Sequence, residues 1–284
     1  MKQYRIHNKS IVKAYRYGDN LEITTSSGTH RQVIKVLPGR KYKNLITGKV
    51  HDMSLSSESR KDNIKALRRT MSRLRRLISH NFRGGNSELW VTLTYANKTL
   101  NPEVVYEDFK IFIRRLRKQH FDLEYINVIE PQASGSWHCH VLLKTKDKSH
   151  LYIPNKILAE AWKQGFTKTK RLKRKDKIAN YVIAYLTDLD ITSFEDKNSK
   201  KYIKGARLNL YPKGIRIYRC SRGIKKPMEQ TGFKSDIMKL NGLETEMEPN
   251  FVKKSSHLID YNTEITYLTE YFNNIGGIDE NNQS

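Results

Sequence analysis

Residues 137–143, Trp137-His138-Cys139-His140-Val141-Leu142-Leu143, decide how the rest of the chain is read. Two histidines one residue apart, running into apolar positions, have the alternation of a β-strand. Successive strand side chains point to opposite faces, so His138 and His140 share one face and Trp137, Cys139 and Val141 the other. Two imidazoles on one face can share a metal ion, because their nitrogens converge without bending the backbone. A half-buried strand whose histidines simply meet solvent has the same pattern, and the flanking sequence has to separate the two readings.

Working outward, Leu123 to Ile129 is a second strand, closed by Glu130-Pro131. The loop through Ser134-Gly135-Ser136 joins it to the histidine strand as an antiparallel hairpin. Upstream, the β-branched and aromatic run Leu89-Trp90-Val91-Thr92-Leu93-Thr94-Tyr95 is a third strand. Between these strands, Asn101-Pro102 opens a helix with Val105, Phe109, Phe112-Ile113 and Leu116 as its apolar stripe. Pro154-Asn155 starts a helix from Lys156 to Gln164, closed by Gly165, and Lys168 to Lys177 reads as a basic connector. A further helix runs from Ile178 to Thr187, and Tyr202–Asn209 and Ile215–Cys220 read as strands. The order implies an α+β fold, with helices against one antiparallel sheet.

Farther out, Ser59 to Asn81 is helical in period, with Ile64, Leu67, Met71, Leu74 and Leu77-Ile78 on one side. Its other side carries Lys61, Lys65, Arg68, Arg69, Arg73, Arg75 and Arg76. A solvated face would mix signs in i,i+4 pairs; a nearly pure run of cations suits a phosphate backbone. Residues 11–50 hold short strands punctuated by turn residues, a small β appendage whose role the sequence does not disclose.

The whole chain has 284 residues, a formal charge of +24 and a pI near 9.9. Residues 241–284 have eight acidic and two basic residues, a net of −6, which leaves +30 on the first 240. Such an excess implies a polyanionic partner, and nucleic acid fits better than a membrane surface, since no amphipathic anchor or lipidation motif is present. No apolar run is long enough to span a bilayer, and the N-terminus lacks the apolar core of a signal peptide. Two cysteines, Cys139 and Cys220, give no disulfide framework, and the chain reads as cytoplasmic. No phosphate-binding G-x-x-x-x-G-K-[ST] loop occurs, so strand unwinding is expected from another protein.

Tyr181 and Tyr185 lie one turn apart on one face of the 178–187 helix, beside an apolar stripe of Ile178, Val182 and Leu186. Paired phenols there suit attack on a phosphodiester. A phenol with a pKa near 10 is a poor nucleophile at neutral pH unless the phosphate is activated, which a divalent metal does.

Taken together, the motifs resemble the HUH endonucleases, specifically the rolling-circle replication initiators of small phages and plasmids. Trp90-Val91-Thr92-Leu93-Thr94-Tyr95 resembles the first motif of that family. Glu130-Pro131-Gln132 through His138-Cys139-His140 resembles the second, and Tyr181-Val182-Ile183-Ala184-Tyr185 the third in its two-tyrosine form. Trp162 with Gly165, and Tyr218-Arg219-Cys220-Ser221-Arg222-Gly223, agree with it, so the likeness covers residues 85–226.

The resemblance implies an RRM-like or ferredoxin-like palm preceded by a β and helical appendage (1–84) and followed by an acidic tail (227–284). It implies Tyr181 and Tyr185 as nucleophiles, and His138, His140 and Glu130 as ligands of Mg²⁺ or Mn²⁺, with Gln132 able to reach the same place as Glu130. The expected DNA contacts are Thr92, Thr94, Lys177, Arg219 and Arg222, with Arg68, Arg69, Arg75 and Arg76 of the basic helix. Single-stranded origin DNA and a bacterial host's helicase and DNA polymerase are the implied partners. Ala184 departs from the family pattern, which has a lysine there; Lys177, one turn before Tyr181, is the available substitute. Two other readings remain open: a single-strand transposase or mobilisation relaxase of the same chemistry, and a non-catalytic RRM-like binder using Thr92, Tyr95 and Trp137.

Overall fold

The computed structural model describes residues 4–28, 34–53, 64–119, 121–132, 134–147, 149–172, 211–212, 214–258 and 264–276. The chain is α+β, with antiparallel sheets and four helices among the described residues. It divides into two units, residues 56–226 and residues 1–55 with 227–284. None of the described helices is long and apolar enough to cross a membrane.

The 56–226 unit is built on a five-stranded sheet. Helix α1 (Ile64–Asn81) leads into β6 (Glu88–Thr94), α2 (Pro102–Lys118), β7 (Leu123–Pro131), β8 (Trp137–Thr145), α3 (Asn155–Trp162), β9 (Thr167–Arg171) and β10 (Tyr218–Cys220). The strand order β10-β7-β8-β6-β9 is that of a ferredoxin-like βαββαβ palm with β10 added at one edge. Residues Lys168–Arg171, expected as a connector, are the edge strand β9, and Thr92 lies opposite Lys168. Alternating threonine and lysine suits a strand with one covered and one exposed face.

Period two sorts the palm sheet into two faces. Odd-numbered positions, including Val91, Leu93, Tyr125, Cys139 and Val141, face α2 and α3. Phe109 of α2 meets Tyr125 edge-on at 5.0 Å, and Trp162 of α3 meets Phe112 and Tyr95 at 5.9 and 5.0 Å. Even-numbered positions carry the histidines. At the far end of that face Lys144 reaches the last turn of α1, donating to Asn81 Oδ1 at 3.2 Å. The α1 stripe of Leu67, Leu74 and Ile78 is fully buried in the same core. Helix α2 begins on Asn101, whose side chain accepts from the Glu103 N–H, with Pro102 in its first turn.

The other unit joins sequence from both chain ends. β1 (Ile11–Tyr17) and β2 (Asn20–Ser26) pair with β11 (Met228–Phe233), β12 (Phe251–Leu258) and β13 (Glu264–Asn273) in the order β11-β1-β2-β13-β12. Helix α4 (Lys234–Leu240) packs Ile237 and Met238 on Val12, Leu21, Ile23 and Phe272. Residues 227–284 therefore hold three strands and a helix where the acidic composition suggested a tail. A separate three-stranded sheet is made of β3 (Ile34–Leu37), β4 (Lys41–Asn44) and β5 (Val50–Asp52).

Candidate active site

Three neighbouring strands put the expected metal ligands on one face. In the β7–β8 register Glu130 lies opposite His138, and in the β6–β8 register Thr94 lies opposite His138 and Thr92 opposite His140. Two rows of side chains result: Thr94, His138 and Glu130, then Lys168, Thr92, His140, Val128 and Tyr218.

Glu130 and His140 are both buried, at 4% and 8% exposure. A carboxylate so far from water needs a strong partner, and His140 Nε2 donates to Glu130 Oε2 at 2.8 Å. The indole of Trp90 stands edge-on to the His140 ring at 5.7 Å and donates to Thr92 Oγ1 at 3.2 Å, so both rings are fixed. His138 is half-buried, its ring centre 6.4 Å from that of His140. Gln132 lies past the end of β7 in the hairpin turn, where its Oε1 faces the Ser134 hydroxyl at 3.5 Å.

Two imidazoles and a carboxylate suit a hard or borderline divalent ion. Adjacent ligand atoms around an octahedral ion with bonds of about 2.1 Å lie about 3 Å apart, close to the 2.8 Å between His140 Nε2 and Glu130 Oε2. The donor set fits such an ion. As placed, Glu130 and His140 are joined directly, and among the described residues no three His, Cys, Asp or Glu side chains converge as a metal cluster.

Among the described residues, the opposite face carries no chemistry of this kind. The Cys139 thiol, wholly buried, is pushed up to about 12 by loss of water, against a hydrogen bond with Asn127 that pulls it down. Burial likewise raises the phenols of Tyr95, Tyr106, Tyr125 and Tyr218. None of these four is prepared as a nucleophile. Tyr181, Tyr185 and Lys177 lie outside the described residues, which resume at the buried Tyr211, whose hydroxyl donates to the Ile129 carbonyl at 3.0 Å.

Several residues singled out in the sequence turn out to hold the site's frame. Trp162 Nε1 donates to the Thr94 carbonyl at 2.8 Å, and Thr94 N and Ala96 N donate to the carbonyls of Phe166 and Gln164. A Cβ on Gly165 would lie 2.5 Å from Thr94 O and Ala96 N. The α3 exit thus clasps the end of β6 that carries Thr94. On β7, Glu124 accepts from Ser221 Oγ and Gly223 N, fastening the turn after β10. Arg222 is exposed on that turn. Arg219 is not on the histidine face: strand alternation turns it under α2, with its guanidinium 3.5 Å from the centre of the Tyr106 ring.

On α1, Arg69 is exposed and Arg75 and Arg76 are half-buried; the side chain of Arg68 lies outside the described residues. Lys168, read in the sequence only as part of a connector, is exposed in the His140 row.

Residues 88–190 match a family model, that of the replication-associated proteins of the ORF2 type. That stretch contains the three strands of the site and is consistent with a replication initiator acting on DNA. No curated protein and no solved structure matches the chain.

Proposed function

We propose that the chain is a replication initiator that nicks one strand of DNA at an origin by tyrosine attack. The carrying observation is the placement of Glu130, His138 and His140 on one face of three adjacent strands, inside the stretch that matches the replication-associated family.

In this reading the oxygen of Tyr181 forms a bond to the scissile phosphorus as the P–O3′ bond breaks. The phenolic proton leaves to solvent, and the departing 3′-oxygen takes one up. The products are a 5′-phosphotyrosine and a free 3′-hydroxyl, and the phosphodiester energy is retained for rejoining. Tyr185 takes the strand at termination. Glu130, His138 and His140 would hold Mg²⁺ or Mn²⁺, which when bound draws charge from the phosphoryl oxygens. Thr92, Thr94 and Lys168 border the phosphate on the side of β6 and β9, and Lys168 offers there the cation that Ala184 does not. Arg222, Lys177 and the arginines of α1 extend the contact along the strand. A DNA polymerase extends the 3′-hydroxyl and a helicase opens the duplex; both are proposed partners.

Incubation with 5′-labelled and 3′-labelled single-stranded DNA and Mn²⁺, followed by a denaturing gel, tests the reading. A covalent adduct carrying the 3′ label, absent in Tyr181→Phe, is expected. Peptide mapping of an adduct onto Tyr185 alone reverses the roles of the two tyrosines, and an adduct on neither ends the nuclease assignment.

A further inference from the structure

Residues 34–53 carry five basic residues and one acidic one and fold as the small sheet β3-β4-β5. The nicking reaction gives them no role. Register puts Lys35 opposite Lys43, Leu37 opposite Lys41, and Lys41 opposite Asp52. Lys35, Lys41 and Lys43 therefore share one face, while Ile34, Val36, Tyr42 and His51 share the other, with Tyr42 stacked on His51 at 5.2 Å. Arg40 projects from the first turn, where it has φ 58 after Gly39 at φ 74. Lys49 projects from the second, whose shape is set by Asn44 Oδ1 accepting from Ile46 N and Thr47 N.

All five cations are exposed, and among the described residues no carboxylate closes an ion pair with any of them. Like charges directly opposite across a strand pair are destabilising, so the Lys35–Lys43 pairing costs stability. No residue of β3, β4 or β5 is fully buried to offset it, and a free-standing sheet of this size is marginal. A polyanion laid on the lysine face removes the repulsion. Two strand spacings make the sheet about 10 Å wide, which enters a B-DNA major groove of about 12 Å. Single-strand binding needs aromatic rings to stack bases, and the lysine face has none.

We infer that this sheet is a second DNA-binding element, one that holds duplex DNA. Lys35, Lys41 and Lys43 meet the phosphates across a groove, and Arg40 and Lys49 reach them from the two turns. The inference rests on the proposed action at an origin, where duplex must be held while one strand is cut.

Its test is equilibrium binding of the full chain, in EDTA, to a fluorescent 20-bp duplex of arbitrary sequence and to the same single strand, over a salt series. Without metal no cleavage enters the measurement, so it stands or falls apart from the nicking chemistry. Joint replacement of Lys35, Lys41 and Lys43 by Gln is expected to weaken duplex binding by about 10- to 100-fold and to lower the log–log salt slope by about 2–3. Single-strand affinity should change less than about threefold. The triple Lys→Arg variant, which keeps the charge, should bind duplex as the wild type does. Unchanged duplex affinity and slope, or an equal loss for duplex and single strand, overturns the inference.

Discussion

Each unit contains a five-stranded antiparallel sheet, and each sheet buries a charged pair at 2.8 Å, yet the two pairs are built for different ends. Lys234 and Glu270 are 1% and 0% exposed. Lys234 Nζ also donates to the Ile6 carbonyl at 2.9 Å, and Glu270 Oε1 accepts from the Ile6 N–H at 2.7 Å, so the pair closes on the backbone of the N-terminal segment. Glu130 and His140 stand instead beside a half-exposed second imidazole and two threonine hydroxyls, in a row that runs to an exposed lysine. Burial alone does not mark a functional group; a buried pair that leaves donors at its edge does. A closed pair serves as an internal fastening.

The comparison breaks first on activity. His138→Ala or His140→Ala should reduce cleavage of labelled single-stranded DNA by roughly a hundredfold or more, with a smaller loss for Glu130→Ala. Binding should stay within about twofold, because +30 of distributed charge supplies it. Cleavage by His138→Ala at the wild-type rate would remove the histidine face from the chemistry. Next comes stability. Lys234→Met leaves Glu270 buried without its cation and should cost about 3–5 kcal/mol in chemical denaturation, and Lys234→Met with Glu270→Leu should recover most of it. If the single variant is neutral, the pair is not the fastening described.

A smaller effect is expected at the α3 exit. A methyl group on Gly165 has backbone on two sides and no flexible side chain to displace, so Gly165→Ala should cost about 1–3 kcal/mol and loosen the Thr94 end of β6. Faster hydrogen exchange at Thr94 and Ala96 would report it; unaltered exchange would mean the clasp is slack.

The smallest effects are in the thiols. Iodoacetamide at pH 8 should modify the exposed Cys220 and spare the buried Cys139, and labelling of both would show the helix-covered face to be open. Cys139 holds its proton more tightly folded than unfolded, as do Tyr95, Tyr106, Tyr125 and Tyr218. The stability contributed by the thiol's proton is whole below pH 9.0 and is lost as pH climbs toward about 12. Thermal scans from pH 8 to 11 should show a falling Tm, less steeply in Cys139→Val.

How much of this was legible in the sequence follows from how local each signal is. β6, β7 and β8 lie within 58 residues (88–145), carry plain alternation, and were readable with the face of each histidine. Glu130 opposite His138 followed from the short hairpin. Arg219 beside Tyr218 was equally readable: if Tyr218 shares the histidine face, period two sends Arg219 to the other.

β9 was missed because a strand of threonine and lysine looks like a polar connector until its neighbour is known. β12 and β13 were missed for a longer-range reason. β13 pairs with β2, about 245 residues away, and its polar composition carries no trace of that partner. The Lys234–Glu270 pair joins residues 36 apart through a sheet whose existence the sequence did not reveal.

The central claim is that the open row of the palm sheet, and not the closed pair of the other sheet, holds a divalent ion. Mn²⁺ binding followed by electron paramagnetic resonance, without DNA, measures it directly. One bound Mn²⁺ per chain is expected in the wild type and in Lys234→Met with Glu270→Leu, and at least about tenfold weaker binding in His138→Ala and in His140→Ala. Equal Mn²⁺ affinity in the wild type and both histidine variants would contradict the account.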